Sequence, residues 1–105
     1  MSDDKKICNL LGLAQRAGRI VSGGFAVEKA IKEKKVKLLI VAADASDKSK
    51  EKYNKLAATN GIDIAEILSQ EELAGALGKN VRSIAALTDA GFADSLRRMI
   101  RDTQG

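Results

Sequence analysis

Apolar residues recur at helical spacing from the beginning of the chain. Ile7, Leu10, Leu11, Leu13, Ala14 and Ala17 carry that spacing, and Gly18 then supplies the kind of stop found just beyond helix ends. This pattern predicts a first helix over about residues 4–17. Arg19-Ile20-Val21-Ser22 is a short extended piece that runs into Gly23-Gly24, where the backbone can bend or let a ligand approach closely. Ala26, Val27, Ala30 and Ile31 form the stripe of a second helix, with Glu28, Lys29, Lys32 and Glu33 near its other faces and an end near Lys34-Lys35. The unbroken apolar run Leu38-Leu39-Ile40-Val41-Ala42-Ala43 has the length and β-branched content of a central strand covered on both sides.

Asp44 or Ser46 can cap a third helix, which extends to Ala58 or Thr59 before Asn60-Gly61 ends it. Its lysines at 48, 50, 52 and 55 keep much of it wet, while Tyr53, Leu56 and Ala57 turn toward the core, the tyrosine hydroxyl toward water. Ile62, Ile64 and Ile67 mark the next strand. Ser69 and Glu72 have capping-box spacing and open a short helix through Leu77 that Gly78 terminates. Val81, Ile84, Ala85, Ala86 and Leu87 predict a last strand, and Phe92, Leu96, Met99 and Ile100 line the inward face of a final helix. Alternating helices and strands with room for helical crossovers call for an α/β fold, a small three-layer α-β-α sandwich around about four strands.

With 105 residues, the chain suits a single domain spanning 1–105. It has no apolar run near the roughly 18–20 residues of a membrane span, and Asp3 and Asp4 stand where a secretory leader needs positive charge, so a cytoplasmic protein without a membrane partner is expected. One cysteine and no histidine leave no zinc cluster, Cys-His pair or Ser-His-Asp triad. Cys8, among Ile7, Leu10 and Leu11, is expected to be a buried structural thiol. Neither nucleotide-loop motif occurs, Asp44 and Asp47 suit helix capping, and Asp89 and Asp94 flank the last turn without an evident metal partner. No catalytic residue, metal or cofactor is therefore expected.

Charge points elsewhere. Eighteen Lys and Arg against fourteen Asp and Glu give a net +4, and residues 1–55 carry net +6 while residues 56–105 carry net −2. A basic face built by the first half, including Arg16, Arg19, Lys29 and Lys32, favours a polyanion. If the second helix begins at Gly23-Gly24, its unpaired N–H groups can accept a phosphate, and Lys29 and Lys32 can extend that attraction along a backbone. Phe25 either stacks on an unstacked base or plugs the junction between sheet and helix.

The stretch from Leu10 to Gly23, LLGLAQRAGRIVSG, followed by Ala30-Ile31 and by Lys37 through Ser46, KLLIVAADAS, closely resembles the bacterial YlxQ branch of the ribosomal L7Ae/L30e family. The likeness covers essentially residues 5–101, with Ala86-Leu87-Thr88-Asp89-Ala90-Gly91 carrying it in the second half. It implies an L30e-like three-layer sandwich with a central mixed sheet, and a monomer that binds kink-turn-like or other internal-loop RNA, ribosomal RNA above all. By that resemblance Gly23 and Lys29 meet the bent RNA, and the loop entering the last helix, with Leu87, Thr88 and Ala90, covers an exposed base. The two features are then expected on the same side of the molecule. Kink-turn binders of the family place an Asn-Glu pair where this chain has Phe25-Ala26, which offers no such side-chain hydrogen bonds. Ribosomal or assembly proteins are the partners in a second class of function, a scaffold with weak RNA binding, and an RNA-directed enzyme is the third class.

Overall fold

Across residues 3–104, which are those described, the computed structural model contains α1 (Asp3–Arg16), β1 (Ile20–Ser22), α2 (Gly24–Lys32), β2 (Leu38–Val41), α3 (Asp47–Asn60), β3 (Ile64–Glu66), α4 (Gln70–Leu77), β4 (Ile84–Leu87) and α5 (Ala90–Gln104). The strands form one mixed sheet in the order β1-β4-β2-β3. β2 and β3 are parallel, and β4 runs antiparallel to both of its neighbours. Ile20, Leu87 and Leu38 share one rung of the ladder, and Ser22, Ala85 and Ile40 share another.

Because side chains alternate along a strand, the two central strands divide the interior into two half-cores. Leu38, Ile40, Ala85 and Leu87 face α1, α4 and α5, where they meet Leu11, Leu73 and Leu96. Leu39, Val41, Ile84 and Ala86 face the other way, toward Val27 and Ile31 of α2 and Tyr53 and Ala57 of α3. All residues of β2 and β4 are buried, as an apolar strand between two helical layers requires.

The caps explain most element boundaries. Ser46 rather than Asp44 caps α3, and Gly61 and Gly78 end α3 and α4 in the left-handed conformation. The β4 strand starts at Ile84, so Val81 lies outside it and is 69% exposed. Cys8 is only half-buried, and its Sγ lies 3.9 Å from the carbonyl oxygen of Glu72. Partial burial, then Glu72 and Asp4, push its thiol up from the usual value.

Strand direction gives the sheet two distinct ends. At one, which we call the glycine pole, β1, β2 and β3 finish and β4 starts. At the opposite pole, β1, β2 and β3 start and β4 finishes.

Candidate nucleic-acid interface

Three helices begin at the glycine pole, α2 after Gly23, α3 after Ser46 and α4 after Ser69. Two of these starts are internally satisfied. The Ser46 hydroxyl accepts from the Ser49 amide at 3.1 Å. Ser69 accepts from the Glu72 amide at 3.0 Å while Glu72 accepts from the Ser69 amide at 2.8 Å, and Asp44 takes the Gln70 amide at 2.8 Å. Acidic residues also occupy their first turns.

The start of α2 is different. Its cap is Gly23, no side chain caps it, and its first turn holds no acid. The leading N–H groups of a helix have no partner within the helix and carry the positive end of its dipole, so this terminus is suited to an anion. Gly23 adopts φ 88° and ψ 148°, a conformation essentially confined to glycine, while its own amide donates to the Ile84 carbonyl at 3.0 Å.

Phe25 follows at once and is 87% exposed, so it does not plug the sheet-helix junction. Val27, Ala30 and Ile31 take α2 into the core, which leaves Lys29 and Lys32 outside. With Phe25 and Glu28 the two lysines line a shallow groove of about 320 Å³.

Glu28 anchors the flank of this groove. Its Oε2 accepts from the Tyr53 hydroxyl at 3.2 Å and pairs with Lys52 Nζ at 2.9 Å. The hydrogen bond from Lys52 is the largest influence holding the Glu28 carboxyl below the usual range, with Tyr53 assisting and burial opposing. Burial, followed by the nearby Glu28 charge, pushes Tyr53 up. The tyrosine hydroxyl is therefore committed to Glu28 rather than turned to water. A Cβ on Gly24 would stand 3.0 Å from that oxygen, so the small residue permits α2 to start close against α3.

A loop not recognised from sequence completes the pole. Residues 78–83 join α4 to β4, and Arg82 donates from Nε to the Ser22 hydroxyl at 3.1 Å and from Nη1 to the Val81 carbonyl at 3.1 Å. Val81 and Phe25 are two of the three large apolar residues exposed among the described residues. The available signal was an isolated apolar residue between Asn80 and Arg82, detached from the Ile84–Leu87 run and preceded by the Gly78 stop.

Gly23, Gly24, Phe25, Lys29 and Lys32 are thus contiguous on α2 and its entry turn. The other predicted contacts are not joined to them. Leu87 is fully buried, with its side chain in the half-core against α1 and α5, so no base can reach it. Thr88 donates its amide to the Arg19 carbonyl at 2.9 Å, which places Thr88, Ala90 and Arg19 at the opposite pole, about 13 Å along β4 from Gly23. The antiparallel pairing of β1 with β4 is the reason, because it puts the residues before β4, not those after it, beside Gly23. Arg16 lines a groove between α1 and α4, its Nη1 3.8 Å from where a Gly12 Cβ would stand.

Residues 5–97 match the model of the ribosomal protein L7Ae/L30e/S12e/Gadd45 family. The chain is 32% identical over 96 residues to the RNA-binding protein YlxQ of Enterococcus faecium, covering 91% of this chain and 92% of that protein. It is 36% identical over 87 residues to the RNA-binding protein YlxQ of Bacillus subtilis strain 168, covering 83% and 87%. A solved structure from Bacillus halodurans, of a protein of unknown function, superposes with a TM-score of 0.84 at 32% identity, over 91% of this chain and 97% of that one. The fold also matches the Giardia lamblia 15.5kD RNA binding protein, with a TM-score of 0.76 at 17% identity over 99% and 90% of the two chains.

Proposed function

The chain belongs to the ribosomal protein L7Ae/L30e/S12e/Gadd45 family, and on that premise we propose that it is a non-enzymatic, monomeric RNA-binding protein. Its ligand is an internal loop, kink-turn-like or related, in ribosome-associated RNA, and it is held at the glycine pole. The observation that carries this reading is the uncapped, acid-free start of α2 at Gly23 beside an 87% exposed Phe25. One offers partial positive charge to a phosphate and the other an aromatic face to an unstacked base. A regular duplex supplies phosphates but no free base, so the pair favours a loop whose bases splay outward.

Lys29 and Lys32 then track the adjoining backbone and contribute position rather than sequence information. Val81 adds an apolar surface, and Arg82, with Nε and Nη1 already held by the protein, keeps Nη2 for the RNA. Phe25-Ala26 supplies no side-chain donors or acceptors, so selection rests on loop shape rather than on hydrogen bonds to particular base pairs.

The test is a salt series on an internal-loop RNA and an unbent duplex of equal length. Loop binding is expected to persist at salt concentrations that remove the duplex, and Lys29→Ala is expected to lower loop affinity while the domain stays folded. Equal decay of both RNAs with salt would reduce the interaction to general basicity and overturn the proposal.

A further inference from the structure

We infer that the opposite pole carries a second and separate polyanion surface, centred on Arg19, Lys34 and Lys37 and suited to the phosphate backbone of an RNA duplex. The inference rests on the reading of the chain as an RNA-binding protein but uses none of the residues that contact the loop.

Arg19 and Lys37 immediately precede Ile20 and Leu38, which share a rung with Leu87. Their backbones clasp the end of β4: the Thr88 amide donates to Arg19 O at 2.9 Å, and the Lys37 amide donates to Leu87 O at 2.8 Å. Two strand spacings separate them, about 10 Å, within the joint reach of two long cationic side chains and neighbouring phosphates.

Lys34 arrives from the end of α2. The amides of Lys34 and Lys35 donate to Ile31 O and Ala30 O, both at 3.0 Å, the two bonds of a Schellman turn. The left-handed position of that turn belongs by preference to glycine, yet it is held by Lys34 at φ 60°. Glycine would close the turn more easily, and what lysine adds there is an exposed charge.

Of the four acids at this pole among the described residues, three are ion-paired, two of them sharing Arg97, and Asp89 keeps its charge against a backbone amide. Glu33 pairs with Lys35 at 3.2 Å, Asp89 accepts from the Phe92 amide at 3.0 Å, and Arg97 holds Asp63 at 3.1 Å and Asp94 at 2.8 Å. Among the described residues Arg19, Lys34 and Lys37 form no ion pair. All three are exposed, so their charges are open to solvent and to a ligand, with no carboxylate in ion-pair contact.

The lack of an apolar anchor separates an RNA backbone from a protein partner. Protein interfaces draw most of their energy from buried aromatic or aliphatic residues, whereas backbone binding needs only placed cations. Of the large apolar residues exposed among the described residues, Phe25 and Val81 are at the glycine pole and Leu13 lines the α1–α4 groove. With nothing in this patch to stack on a free base, a paired segment is its natural occupant.

The experiment compares the full chain with R19Q/K34Q/K37Q, using an RNA duplex of about 16 base pairs and an internal-loop RNA with short stems. The triple variant is expected to lose about ten- to a hundredfold in duplex affinity at low salt, with the salt slope shallower by about 2 to 3, while loop affinity stays at the wild-type level. Lys29→Ala should do the converse. Lys34→Gly is expected to raise the melting temperature and still weaken duplex binding, which excludes misfolding as the cause. Unchanged duplex affinity in the triple variant, or equal losses on both RNAs, overturns the second surface. Loss of polyglutamate binding with duplex affinity intact assigns the patch to an acidic protein and also overturns it. Wild-type protein that binds the duplex but not the loop overturns the proposed function and leaves this surface standing.

Discussion

Phe25→Ala separates folding from recognition because of where the ring stands. At 87% exposure the side chain gives up little area to the folded protein, so truncation is expected to change stability by less than about 0.5 kcal/mol. Alanine is also the better helix former, which offsets part of any loss. If the ring stacks on an extruded base, its removal costs about 1 to 3 kcal/mol of binding. That is about 5- to 150-fold in Kd. Fluorescence anisotropy with a labelled internal-loop RNA measures the affinity, and circular dichroism melting in the same buffer measures the fold. Phe25→Trp should retain binding and Phe25→Leu should not, since a π face is required rather than bulk. The salt slope should stay at its wild-type value because no charge is removed, whereas Lys29→Ala should flatten it by about 0.7 to 0.9. Binding by Phe25→Ala within about twofold of wild type, or by Phe25→Leu equal to wild type, refutes stacking.

Gly23→Ala forces an L-residue into φ 88° and ψ 148° and is expected to lower stability by about 1 to 3 kcal/mol in urea unfolding, with an unchanged midpoint as the contrary result. Glu28→Gln tests the tie between α2 and α3 through pH. The folded carboxyl lies below its usual value, chiefly through Lys52, so its stabilisation is present above the unfolded value of about 4.3 and disappears as pH falls through the folded one. Wild type should exceed Glu28→Gln near neutrality and converge with it in acid, and a gap independent of pH would reject the linkage. Leu87→Ala is expected to cost about 2 to 5 kcal/mol by emptying a fully buried site while the folded fraction keeps its RNA affinity. Undiminished stability with lost RNA binding would return Leu87 to the interface.

The features legible in one dimension are those whose cause is local. Ser69 and Glu72 announce a capping box at a spacing of three, and the structure contains both of its hydrogen bonds. Leu38 through Ala43 announce a doubly covered strand; Leu38–Val41 form it and are all buried, whereas Ala43 lies past its end and is exposed. The Phe25-Lys29-Lys32 face follows from helical spacing and the need of Val27, Ala30 and Ile31 for the core. Tyr53 illustrates the boundary: its inward packing was readable, but the commitment of its hydroxyl to Glu28 depends on α3 lying beside a helix that starts 23 residues before α3 does.

The second side of the interface depends on strand direction, and composition contains no record of that. Had β4 run parallel to β1, the residues following it would have finished beside Gly23, and Thr88 and Ala90 would have faced the turn. Because β4 is antiparallel, its preceding loop takes that place and brings Val81 and Arg82, while Thr88 is carried to Arg19. The same reversal divides the basic charge of the first half of the chain. Lys29 and Lys32 extend from the turn at Gly23, whereas Arg19 and Lys37 stand at the far ends of the strands. A charge excess concentrated in sequence is thereby split between two poles in space, and the two proposed RNA surfaces can be tested separately because one antiparallel pairing holds them apart.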